Sequence, residues 1–262
     1  MTLSVRSVLF LVALVASCTL STSLTPQSIF SPLDANTIGG DTAPLRIPTV
    51  HESAVQGRRI MHLTTIGTLS TVFPSSEPSA APLENRPAGL EGAPIGLMDY
   101  FADCEPAAGN PTILAVDIAT SFKNARAGSN VTLSMRWVPP DAHVRSYSPA
   151  ALPRFSLVGY LEDLSDEDVE KGGVASCFVR HHRDARLWLP GNRIHESRWV
   201  RLVVNGVYWI GGFGDRAYIG WIPVDVWKNV TAEEVEQCRL PGEKTGVLST
   251  LVDWLGLSWG LW

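Results

Sequence analysis

The sequence predicts a mainly β protein, one antiparallel barrel with a few short helices, and three observations carry that expectation. Six or seven runs rich in Thr, Val, Ile and aromatic residues recur along the body of the chain, bounded by Gly, Pro and Asn. Stretches with helical periodicity are short and do not alternate regularly with the strands, which argues against a parallel α/β sheet. After an N-terminal leader about 220 residues remain, enough for one sizeable core.

The leader comes first. Arg6 precedes the apolar run Val8 to Ala16, and the small or polar residues Ser17, Cys18, Ser21 and Ser23 follow. This pattern predicts a secretory signal peptide over 1–23, cleaved after Ser17, Ser21 or Ser23. The run is too short for a bilayer, which needs roughly 20 apolar residues. Residues 24–46 lack any hydrophobic period and read as a flexible propiece.

The barrel domain is expected over 47–230. Thr49 and Glu52 form a capping box that starts a helix from Val50 to about Arg59. Strands are expected over Met61–Phe73, Ile95–Ala102, Thr112–Ile118, Val131–Trp137, Phe155–Leu161, Trp199–Phe213 and Ala217–Val224. Pro74, Pro78, Pro82 and Pro87 make 74–92 a surface loop, because proline cannot donate to a sheet. A short helix is expected over Ser121–Ala127, ended by Gly128. Ser165, followed by Asp166, Glu167 and Asp168, opens an irregular helix running across Gly172 and Gly173 toward His182. Gly214-Asp215-Arg216 turns the final hairpin. In the tail, 231–262, Leu248, Leu251, Val252, Leu255, Trp259 and Trp262 fall on one helical face. That face is expected to dock on the barrel; covering a cleft or touching a membrane surface are the other options. Nine tryptophans are many for this length, and Trp199, Trp209 and Trp221 read as core or interface packing.

Composition excludes several classes. A net charge of -5 with scattered signs leaves no footprint for nucleic acid. With Cys18 at the processing site, Cys104 and Cys177 are taken as a disulfide pair, and Cys238 is left over. Sequons at Asn130 and Asn229 fit a secretory route as glycosylation sites. His181-His182 with Asp184, and His195-Glu196, lack a third ligand at a recognisable metal spacing. Gly211-Gly212-Phe213-Gly214 sits in a hairpin, so its glycines serve a tight turn rather than a phosphate loop.

The order of motifs is that of a known family. Gly67-Thr68-Leu69-Ser70-Thr71 is followed by Pro94-Ile95-Gly96-Leu97-Met98-Asp99-Tyr100 and Asn110-Pro111-Thr112-Ile113-Leu114. Thr120-Ser121-Phe122-Lys123-Asn124 comes next, and Trp209-Ile210-Gly211-Gly212-Phe213-Gly214-Asp215-Arg216-Ala217 closes the series. From about Pro48 to Val230 the chain resembles the pyridoxamine-phosphate-oxidase-like split barrels, and within them the CREG-type β-barrel proteins, fungal-like members in particular. The resemblance implies a six-stranded antiparallel split barrel that forms a two-fold homodimer. It also implies that flavin-binding relatives hold FMN in a cleft at the dimer interface. CREG-type members are by implication secreted or endolysosomal glycoproteins without catalysis, the flavin cleft being obstructed.

An FMN phosphate needs cationic and hydroxyl donors. Thr120, Ser121, Lys123 and Asn124 at the start of a short helix, with Arg136 on the next strand, are the candidates. The plainer reading makes Thr120 a helix cap and leaves Lys123 and Arg136 solvated. Asp117 would repel a phosphate there, and a glycan at Asn130 would crowd the cleft. The sequence therefore favours a glycoprotein of the secreted or endolysosomal–vacuolar route with no cofactor, acting by binding an unidentified protein or small molecule. An FMN-dependent oxidoreductase is the alternative.

Overall fold

The computed structural model describes residues 46–75, 87–140 and 148–243. The leader, residues 24–45, most of the proline-rich loop and the periodic tail beyond Glu243 lie outside the described residues. The capping box forms as expected. The Thr49 hydroxyl accepts the Glu52 amide at 3.2 Å, and the Glu52 carboxylate accepts the Thr49 amide at 2.8 Å. Helix α1 (Val50–Leu63) runs beyond the expected Arg59. The reason is local: Ile60 and Met61 are both wholly buried and extend its apolar face.

Seven strands follow: β1 (Ile66–Val72), β2 (Pro94–Ala102), β3 (Thr112–Val116), β4 (Val131–Arg136), β5 (Arg154–Asp163), β6 (Ser197–Ile210) and β7 (Ile219–Ile222). Their order is β3-β2-β1-β4-β5-β6-β7, and β3 also pairs with β6. That extra pairing closes β1 to β6 into a six-stranded antiparallel barrel and leaves β7 as one added strand outside it. The fold is the one the sequence predicts. The final hairpin turns where expected, with the Arg216 amide donating to Phe213 O at 3.0 Å.

Alternation along each strand sends one face into the barrel. On β4, Val131, Leu133 and Met135 point inward while Thr132, Ser134 and Arg136 point outward. Leu69, Phe101, Ile113, Leu133, Leu157, Leu202 and Val207 fill the interior, each such side chain contributing about 2 kcal/mol by leaving water. Gly159 marks a β-bulge between β5 and β6. A Cβ there would lie 1.9 Å from Val203 O, so only glycine lets the strands approach this closely.

Helices close both ends of the barrel. Helix α1 packs with α5 (Val224–Lys228) and α6 (Ala232–Gln237) at one end, where Trp209 and Trp227 stack tilted against Phe155 at 5.6 and 5.7 Å. Helix α2 (Thr120–Arg126) lies against β1 and β2 and buries Phe122 toward the other end. The irregular helix expected after Ser165 is two helices, α3 (Asp166–Lys171) and α4 (Val174–His181). They part at Gly173, whose φ of 58° lies in the left-handed region. A 3-10 turn (Arg183–Leu187) follows α4. This insert lays Val174, Phe178 and Ala185 on the outer wall formed by Ala102, Leu114 and Trp199. The Cys104–Cys177 disulfide, with Cα atoms 5.8 Å apart, ties α4 to the end of β2. Cys238 is a buried free thiol, pushed up to about 11 by burial. Among the described residues, no helix is long and apolar enough to cross a membrane.

Candidate functional site

The barrel is split on one side. Strand β2 pairs with β1 along seven residues but with β3 only at Phe101↔Ile113 and Ala102↔Thr112. Ile95, Leu97 and Asp99 alternate with Phe101 on the inward face, yet no β3 residue faces them in the ladder. Leu97 is 42% exposed as a result. Asp99 is half-buried; its Oδ1 accepts the adjacent Tyr100 amide at 2.9 Å, and burial pushes its carboxyl up to about 6.

The expected anion-binding residues divide into three groups. Thr120 is the first residue of α2, but Ala119 is the N-cap and no side chain caps the helix. Ser121 and Asn124 turn inward and are buried, and Asn124 Nδ2 donates to Thr71 Oγ1 at 3.0 Å. Lys123 lies half-buried on α2. Arg136 is exposed at the far end of β4, paired across the ladder with Arg154. It lies five residue steps along the strand from Val131, a distance of roughly 17 Å. Within one chain, therefore, α2 brings Thr120 and Lys123 together, spends Asn124 on β1, and does not bring Arg136 near.

Asp117 does not stand as an isolated negative charge. Arg126 NH1 approaches it at 3.0 Å, Arg198 also pairs with it, and Arg126 NH2 donates to the Asp117 carbonyl at 2.8 Å. Arg198 Nε in turn meets Asp163 at 2.7 Å. The expected repulsion of an anion by Asp117 is thus largely cancelled by two guanidinium groups. Arg126 and Arg198 escaped the sequence reading. Arg126 had a signal, its i+3 spacing from Lys123 on α2. Arg198 had none, because the β3–β6 ladder places it beside Asp117 from 81 residues away.

A second feature is the outer face of the sheet. Registers carry one row across six strands: Met98, Thr68, Ser134, Ser156, Tyr208 and Trp221. The Ser134 and Ser156 hydroxyls hydrogen-bond at 2.8 Å, and Tyr208 meets the Trp221 ring edge-on at 5.2 Å. The adjacent row is Gly96, Ser70, Thr132, Val158 and Gly206. Small side chains make the centre flat, while Met98 and Trp221, 80% and 60% exposed, stand at its margins. Trp199 and Trp209 are buried as expected, so Trp221 alone of those three presents a ring to solvent.

The sequon asparagines Asn130 and Asn229 are both exposed. Asn130 precedes β4. Asn229 ends α5, at the opposite end of the barrel, and the Thr231 hydroxyl of its sequon caps α6.

A heme-binding protein from Mycobacterium smegmatis superposes with a TM-score of 0.51 at 18% identity, over 69% of this chain and 60% of that one. The heme storage protein HutZ from Vibrio cholerae gives 0.42 at 14% identity, over 62% and 95% of the two chains. A FAD-binding protein from Mesorhizobium loti gives 0.36 at 12% identity, over 59% and 91%. At these identities the likeness concerns the fold alone, and the alignment spans less than two thirds of the Mycobacterium protein. No curated protein matches the chain in sequence. The sequence profile of the CREG β-barrel matches residues 48–229, which contain every strand, the split and the outer sheet face. The chain belongs to the CREG β-barrel family.

Proposed function

We propose that this protein is a secreted or endolysosomal–vacuolar glycoprotein that acts by binding, as a homodimer and without catalysis of its own. The observation that carries this reading is how the would-be phosphate donors are used. Asn124 is committed to Thr71, Ser121 is buried, and Arg136 lies a strand-length away. The Cys104–Cys177 disulfide supports an oxidising compartment. Exposure of Asn130 and Asn229 at opposite ends of the barrel supports two N-glycans. The flat row from Met98 to Trp221 supports a second copy of the chain as partner, since small residues let two sheets approach while marginal aromatics supply buried area.

The test is secretion from a eukaryotic host followed by light scattering and mass spectrometry, before and after enzymatic deglycosylation. The reading predicts a dimer with sugar on both asparagines, and a monomer for Trp221→Glu that keeps the wild-type circular dichroism. A wild-type monomer contradicts the dimer, and unmodified asparagines contradict the glycoprotein.

A second reading, a flavin carrier or FMN-dependent oxidoreductase, draws support from Arg126 and Arg198, which offset Asp117 beside Lys123. It predicts that Lys123→Ala or Arg126→Ala lowers flavin occupancy while the barrel stays folded. Full occupancy in both variants contradicts it.

A further inference from the structure

Three imidazoles lie near one another beside the C-terminal end of β2. Two of them are consecutive, His181 as the last residue of α4 and His182 just after it. Cys177 and His181 lie one turn apart on α4, and His182 is its C-cap, with the non-helical φ of -132° and ψ of 85°. His182 Nε2 bonds Phe101 O at 3.0 Å, and its ring stacks on Tyr100 with centroids 4.2 Å apart. From the last turn of α1, His62 Nδ1 meets Asp103 Oδ2 at 3.2 Å. Asp103 is 2% exposed at its side chain, and its other oxygen, Oδ1, is buried without a hydrogen-bond partner. His181 lies within the field of His62, His182, Arg180 and Asp103. Arg58 of α1 also feels Asp103, and Asp184 of the 3-10 turn faces His182 and bonds the Tyr100 hydroxyl at 2.9 Å.

The charge balance of this junction changes with protonation. Two arginines, Arg58 and Arg180, and two carboxylates, Asp103 and Asp184, are fixed, and His181 and His182 can each add a positive charge. With all imidazoles neutral, the fixed charges cancel. With His181 and His182 both protonated, the junction carries an excess of two positive charges.

We propose that the insert α3–α4 with its 3-10 turn is an acid-released flap: protonation of His181 and His182 undocks α4 from the barrel wall, while the Cys104–Cys177 disulfide keeps it attached. Burial, together with the neighbouring cations, holds His181 below its ordinary value of 6.5, and burial does the same for His182. The docked form therefore resists the proton. As pH falls below about 6.5 the undocked form gains protons the docked form does not, so docking weakens over that range. Undocking uncovers the apolar wall of Ala102, Leu114 and Trp199 that Val174 and Phe178 now cover. The disulfide, at Cys104 beside Asp103 and Cys177 one turn before His181, is the hinge that survives.

The experiment is amide hydrogen exchange of the full disulfide-bonded protein at about pH 7.5 and about pH 5, corrected for intrinsic rates. Peptides covering 174–187 are expected to exchange about tenfold faster at the lower pH, with β4 and the first half of β5 unchanged. His181→Gln should cut that ratio to about threefold or less. His182→Phe keeps the stacking ring without the proton and should also reduce it. A wild-type ratio within about twofold, a parallel rise in β4 and β5 peptides, or an undiminished ratio in both variants overturns the proposal.

Discussion

Arg58→Ala is expected to be among the most destabilising single changes in the protein, at about 4 kcal/mol. Arg58 is 1% exposed and, among the described residues, forms no ion pair with a carboxylate. Its NH1 donates to Trp227 O at 3.1 Å, its NH2 donates to Pro106 O, and its guanidinium sits 5.6 Å from the Trp227 ring centroid. One side chain thus binds α1, the turn after Cys104 and α5 together. Removing it strands two carbonyls at roughly 1–3 kcal/mol each, loses a desolvated cation–π contact of about 1–2 kcal/mol and opens a cavity. Against that, the charge no longer has to be buried, which returns a few kcal/mol. Burial already lowers the Arg58 pKa, yet no titration is expected at ordinary pH. Urea unfolding followed by circular dichroism and tryptophan fluorescence measures the change. Arg58→Lys should recover part of the loss, because a single ammonium reaches one carbonyl but not both. A cost below about 1 kcal/mol for Arg58→Ala would refute the reasoning, since it would mean those carbonyls find other donors.

Two further outcomes follow from named groups. Breaking the Cys104–Cys177 bond with Cys104→Ser and Cys177→Ser opens a 73-residue loop, and a loss of about 4 kcal/mol is expected in urea unfolding, with an unchanged midpoint counting against it. Asp99→Asn should stabilise the protein at neutral pH by about 2 kcal/mol, allowing for partial exposure of the carboxyl. The sign is that of a raised acid: with a folded value of about 6 against 3.8, the penalty is full above about pH 6 and is relieved as pH falls toward 4. The wild type should therefore gain stability relative to Asp99→Asn over that window. A constant difference between them would show that the Asp99 carboxyl is solvated.

Local chemistry was legible in the sequence, and long-range pairing was not. Thr49 with Glu52, Ser165 before three acids, and the turn at Gly214 each announce themselves within a few residues, and each forms as expected. Gly172-Gly173 marked an irregularity, but only the left-handed backbone at Gly173 made it a break between two helices. Strand alternation on β4 showed which side chains face inward. It could not show that β2 leaves β3 after two residue pairs, or that β3 closes on β6, because both depend on partners far along the chain. The site followed the same division. Thr120, Ser121, Lys123 and Asn124 were visible as a polar cluster, whereas the inward turn of Asn124 and the capture of Asp117 by Arg198 are consequences of packing.

The central claim is that this barrel works by binding and carries no flavin of its own. The most direct test is an absorbance spectrum of the secreted, glycosylated protein after incubation with FMN and desalting, with circular dichroism confirming the fold. A spectrum free of flavin bands is the predicted result. Near-stoichiometric absorbance around ~450 nm would contradict the claim and make the split beside Lys123, Arg126 and Arg198 a flavin site.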